Sequence, residues 1–144
     1  MVNAAYAEYP KVPDFKLPST SGEIQPSMFK GQVIYIDFWA SWCKPCKKSF
    51  PWLNELHAKY KDKGLKVIAI NLDKDRAKAD EFLKKIPANF TVAFDPSGDT
   101  AISFEVKGMP SSYIIDRNGY MHVRHVGFRE KDTANIENAV KKLL

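Results

Sequence analysis

The chain has 144 residues, long enough for one domain with a substantial core that needs no disulfide staples. Its 44% hydrophobic and 27% charged residues are those of an ordinary globular protein, and no apolar run reaches the ~18 residues of a membrane-spanning helix. Lys and Arg exceed Asp and Glu by 22 to 17, but this net charge of +5 is spread along the chain, which argues for a solvated surface and against a nucleic-acid partner.

Residues 1–12 show no apolar periodicity and are expected to form a flexible tail ahead of a single domain over residues 13–144. Within the tail, Ala5-Tyr6-Ala7 has the small-residue pattern that precedes signal-peptidase cleavage, without the charged and apolar regions of a complete signal. The expectation is the remnant of a trimmed export signal; the plain alternative is the terminus of a cytosolic protein. Residues 14–25 read as an extended piece, a Ser19-Thr20-Ser21-Gly22 turn and a return strand, a hairpin laid on a sheet edge. Residues 33–36, Val-Ile-Tyr-Ile, are a buried strand.

A helix follows to about residue 63, with Gly64 as its C-cap and Pro51 inside it, where one backbone hydrogen bond is lost. Residues 65–72 are a second buried strand. Asp75 caps a helix to residue 86 whose apolar face is Ala79, Phe82, Leu83 and Ile86. A strand over 90–94 and a short helix over 100–106 lead into Gly108-Met109-Pro110. Strands over 112–116 and 120–126 are joined by a turn containing Asn118-Gly119, and an amphipathic helix over 131–144 points Ile136, Val140 and Leu143 inward. Alternating strands and helices closed by an antiparallel hairpin predict an α/β fold with a mixed sheet and helices on both faces.

Cys43-Lys44-Pro45-Cys46 falls where the first strand hands over to the long helix. A sulfur there meets unpaired backbone N–H groups and the positive end of the helix dipole, which favour thiolate over thiol, so Cys43 is the expected nucleophile. Cys46, one turn in, is shielded yet placed to attack a mixed disulfide at Cys43. Pro45 fits the first helical turn, where its missing N–H costs nothing. Lys44 adds positive charge near the thiolate, and Trp42 forms an apolar rim beside it. A structural disulfide is a poor reading, because a pair spaced by two residues closes almost no loop. A metal- or haem-delivery module using both sulfurs, and a redox-inert interaction domain, are the alternatives.

His122 and His125 invite a zinc reading with the cysteines, but three apart on a strand they point to opposite faces. No metal or other cofactor is expected. Asp37 lies among Ile36, Phe38 and Trp39 on the first buried strand. Burial would raise its pKa and let it accept the proton of Cys46 as that thiol attacks.

The WCxPC motif after Asp37-Phe38-Trp39-Ala40, the helix proline Pro51 and the later Gly108-Met109-Pro110 resemble the thioredoxin superfamily. Pro13-Asp14-Phe15-Lys16-Leu17, an inserted helix and strand before residue 108, and Phe94-Asp95-Pro96 resemble, more closely, its TlpA/ResA-type thiol:disulfide oxidoreductases. The resemblance implies a thioredoxin fold and a dithiol/disulfide cycle that reduces protein disulfides. It implies a cis peptide bond at Pro110, with the Met109 backbone and Trp42 receiving an extended substrate, and a periplasmic monomer supplied by an upstream thiol donor, either free or membrane-bound. Two departures stand out: the lysine that partners the buried acid in thioredoxin is Ala69 here, and the glutamate some ResA-like reductases place three residues after the second cysteine is Ser49. A role restricted to cytochrome c maturation is therefore not implied.

Overall fold

The computed structural model describes residues 9–144; Ala5-Tyr6-Ala7 and the export reading attached to it lie outside them. Runs of β-branched and aromatic residues form β1 (Val33–Trp39), β2 (Leu65–Asn71), β3 (Thr91–Phe94), β4 (Ser111–Ile115) and β5 (Met121–Val126). They make one sheet in the order β3-β2-β1-β4-β5. β1 pairs parallel with β2 and antiparallel with β4, so the strand that leads into the CxxC motif is central. β1 is buried along its whole length, through Asp37 to Trp39, three residues beyond the apolar run.

The helices are α1 (Lys44–Tyr60), α2 (Arg76–Lys85), α3 (Asp99–Ser103) and α4 (Thr133–Leu143). α1 runs on through Pro51, and a short 3-10 turn carries it to Gly64, whose φ of 103° is the left-handed conformation that a C-terminal glycine supplies. α2 begins at Asp75, whose carboxylate accepts the Ala77 N–H at 3.0 Å. In α4, Ile136 and Val140 are buried and Leu143 is half-buried, as the amphipathic pattern requires.

Side chains alternate along β1. Tyr35 and Trp39 join the core beneath α1, α2 and α4, which also contains Cys43, Cys46, Phe50 and Val140. Ile34, Ile36 and Phe38 join the opposite core with Phe15, Leu17, Ile24 and Phe104. Phe50 anchors the first core, with ring centroids 4.8 Å from Trp39, 5.1 Å from Phe82 and 5.4 Å from Phe90. Phe50→Ala is expected to cost about 3–5 kcal/mol, read as a lowered urea midpoint with unchanged slope.

The N-terminal segment turns back on a sheet edge as expected, with a shorter ladder than a full hairpin. Leu17 and Ile24 exchange one pair of backbone bonds, 3.0 and 2.9 Å, and form a single bridge. Pro18 has no N–H to extend that ladder; its carbonyl accepts the Phe94 N–H and Thr20 N–H donates to Val92, so the edge that the limb covers is that of β3. Residues 10–12 are also held rather than loose. Val12 N–H donates to the Gly119 carbonyl and Met121 N–H to the Pro10 carbonyl, both at 2.8 Å, and Tyr9 stacks on His122 with centroids 3.8 Å apart.

Candidate active site

β1 ends at Trp39, and residues 40–42 carry the chain across to Cys43, the N-cap of α1. Backbone bonds from Cys43 N–H to the Ala40 carbonyl, 3.1 Å, and from Leu72 N–H to the Trp39 carbonyl, 2.9 Å, fix this crossing. Asp73, just past β2, holds it from the side: its carboxylate accepts the Ser41 N–H at 2.8 Å, the Ser41 hydroxyl at 2.7 Å and the Asn71 amide at 2.8 Å. Sequence reading missed this clamp, because its halves lie 32 positions apart.

Cys43 and Cys46 are joined by a disulfide, with Cα atoms 5.4 Å apart. Cys43 retains 5% exposure and Cys46 has none, so the first sulfur is the one a partner can approach. Pro45 occupies the first turn of α1, and no acidic residue stands there to oppose the dipole. Lys44 is exposed on that turn, and Trp42 is 70% exposed beside Cys43. Ser49 is buried, its hydroxyl donating to the Cys46 carbonyl at 3.0 Å.

The Met109–Pro110 peptide bond is cis. Ser111 pairs with Phe38, which sets Pro110 beside the end of β1 where the crossing to Cys43 begins. Pro110 is buried, and its carbonyl accepts the Gly127 N–H at 2.7 Å. Met109 packs against the core that contains both cysteines.

Asp37 shares its face of β1 with Tyr35 and Trp39, the face on which the cysteines lie. It is 2% exposed, with Ala69 opposite on β2 and Ser112 opposite on β4. No lysine partners it from Ala69. The Ser112 hydroxyl donates to Oδ1 at 3.2 Å, while Oδ2 is buried without a partner. Desolvation dominates over that one hydrogen bond and pushes the carboxyl pKa up to about 8.

The other singled-out residues stay apart from this centre. His122 Nε2 pairs with Asp116 at 2.7 Å and His125 Nε2 approaches Asp132 at 3.8 Å, so the two rings turn to different partners. Among the described residues no group of three or more His, Cys, Asp or Glu side chains could hold a metal ion, and no helix is long and apolar enough to cross a membrane.

A mixed sheet with helices on both faces, a CxxC disulfide at the start of the helix after the central strand, and a cis-proline at the neighbouring strand define a thioredoxin-fold protein built for dithiol/disulfide exchange. Comparison with known proteins makes this specific. The chain belongs to the Redoxin family, which matches residues 8–143, and within the thioredoxin superfamily it is a ResA-like thiol:disulfide oxidoreductase. The thiol-disulfide oxidoreductase ResA of Bacillus thuringiensis subsp. konkukian is 34% identical over 134 residues, covering 92% of this chain and 76% of the relative. The crystal structure of a candidate thiol:disulfide interchange protein DsbE from Chlorobium tepidum is 50% identical, covers 94% of this chain and 96% of that one, and superposes with a TM-score of 0.92. The exposed lipoprotein thioredoxin Etrx1 of Streptococcus pneumoniae is 30% identical, with 91% and 100% of the chains covered and a TM-score of 0.79.

Proposed function

We propose that the protein works in the reducing direction on disulfides of other proteins, as a monomer in the periplasm, recharged by an upstream thiol donor. The observation that carries this reading is that Cys46 is wholly buried and that the same side of the sheet holds a buried carboxylate with one oxygen unpartnered. In reduction, Cys43 thiolate attacks the substrate disulfide, expels one substrate thiolate and is left in a mixed disulfide. Cys46 must then lose its proton out of reach of bulk water, and Asp37 Oδ2 takes it. The Cys46 sulfur attacks Cys43, the Cys43–Cys46 bond forms, and the second substrate thiolate leaves. A base near neutrality suits this step: a carboxyl with its pKa pushed up to about 8 binds the proton firmly and still releases it to the departing thiolate.

The substrate is held as an extended segment against the Met109 backbone, with Trp42 as an apolar wall and Lys44 supplying charge beside the nucleophile. A surface that reads backbone more than side chains suits a range of unfolded or partly folded protein substrates. Export is supported by the exposed lipoprotein among the structural relatives.

Equilibration with glutathione or dithiothreitol, followed by tryptophan fluorescence, tests the direction. The expected potential lies nearer the about −270 mV of thioredoxin than the about −120 mV of the oxidant DsbA. A value at the oxidising end, with no reduction of insulin, would assign the protein to disulfide formation instead.

A further inference from the structure

The carboxylate on β1 faces Ala69 where its thioredoxin counterpart has a lysine partner, and its one hydrogen bond comes from the other neighbouring strand, from Ser112. We infer that Ser112 is a positioning residue for the reaction: its hydroxyl holds Asp37 by Oδ1 and so presents Oδ2 as the oxygen that receives the Cys46 proton. This rests on the proposed role of Asp37 as acceptor.

The geometry is set by backbone register. Asp37 faces Ala69 on one side and Ser112 on the other, so within the sheet only β4 offers it a side-chain donor. Ser112 is itself buried, two residues beyond the cis-proline, and its single hydroxyl proton goes to Oδ1 at 3.2 Å. A carboxylate with Oδ1 held by a hydrogen bond keeps both lone pairs of Oδ2 for a proton, and in a dry core it cannot rotate without breaking its only bond. The Tyr35 phenol, on the same face of β1, keeps its proton far beyond neutral pH because it is buried and lies near the Asp37 carboxylate. Ser112 and Asp37 thus form a polar pair within the apolar core, with Oδ2 left without a partner.

On the Asp37 side of the sheet the titratable groups are Tyr35 from its own strand and the two cysteines, which lie in the core on that side; β2 presents Ala69 and β4 presents Ser112, neither of which titrates. The Ser112 hydrogen bond is also the single interaction that lowers the Asp37 pKa against the rise from burial. Losing it raises the pKa further and leaves the carboxyl protonated, and useless as an acceptor, over more of the neutral range.

The test is the resolving step alone. Cys43 is loaded with a chromogenic aromatic thiol as a mixed disulfide, and its release by Cys46 is followed in single turnovers from about pH 5 to 9. In Ser112→Ala the acid limb is expected to move up by about one pH unit, with release at pH 7 about tenfold slower, as for loss of one hydrogen bond to a charged group. Ser112→Thr, which keeps the hydroxyl, restores the profile; Ser112→Val, of matching shape without it, does not. If Thr and Val behave alike, or Ala overlays the parent, while Asp37→Asn still slows release, Ser112 only fills space and the inference falls. If Asp37→Asn leaves the profile unchanged as well, the acceptor itself has been misassigned.

Discussion

Cys46→Ser is expected to convert the protein from a catalyst into a trap. Cys43 keeps its place at the N-cap of α1, where the dipole and the absence of first-turn acids favour its thiolate, so it still attacks a substrate disulfide. With a serine hydroxyl in place of the second thiol nothing resolves the product, and the substrate stays bonded to Cys43. Cys43→Ser leaves Cys46, which has zero exposure, as the only thiol, and no substrate can reach it. Turnover of insulin should fall by at least about a thousandfold in both variants, since nucleophile and resolving group act as a unit. They separate on a non-reducing gel: Cys46→Ser carries thiol-sensitive adducts of higher mass and Cys43→Ser carries none. Adducts on Cys43→Ser alone would reverse the roles of the two sulfurs.

Much of this was legible in the sequence because the decisive signals are local. Cys43 to Cys46 with Pro45 between them names a helix start; Asp75, Gly64 and Asn118-Gly119 mark a cap, a stop and a turn within a few residues of where each acts. What stayed hidden depends on pairing between distant strands. Ser112 reads as an ordinary strand serine until the register of β1 against β4 sets it opposite Asp37, 75 positions away. Asp73 reads as a strand end until it closes on Ser41. The same limit explains the N-terminal segment. The sequence placed this limb on a sheet edge, and Pro18 could have warned that its ladder would be short, but only the sheet order shows that the edge is that of β3. Asp37 is the intermediate case: its apolar neighbours signalled burial and the resemblance gave Ala69 in place of a lysine, and the register then set that Ala69 directly opposite the carboxylate.

Asp37→Asn should therefore have two effects of opposite sign. With its pKa pushed up to about 8 by burial, the folded chain holds a proton there between about pH 4 and pH 8 that the unfolded chain has already released. Folding stability must fall as pH rises through that window, at about 1.4 kcal/mol per pH unit from this one group. Asparagine cannot ionise in either state, so the variant escapes the penalty. Urea unfolding of the two oxidised proteins should give nearly equal stabilities at about pH 4 and a gap in favour of Asp37→Asn that widens to several kcal/mol by about pH 8. A gap that does not change with pH would mean that the carboxyl titrates normally. The same substitution should slow release of the resolved substrate about a hundredfold at pH 7, the usual scale for losing a positioned base. A residue whose removal stabilises the fold and cripples the reaction is held in the core for its chemistry, because packing alone would favour the neutral amide. The two measurements together separate that case from one in which Asp37 merely completes the sheet, where stability and rate would fall together.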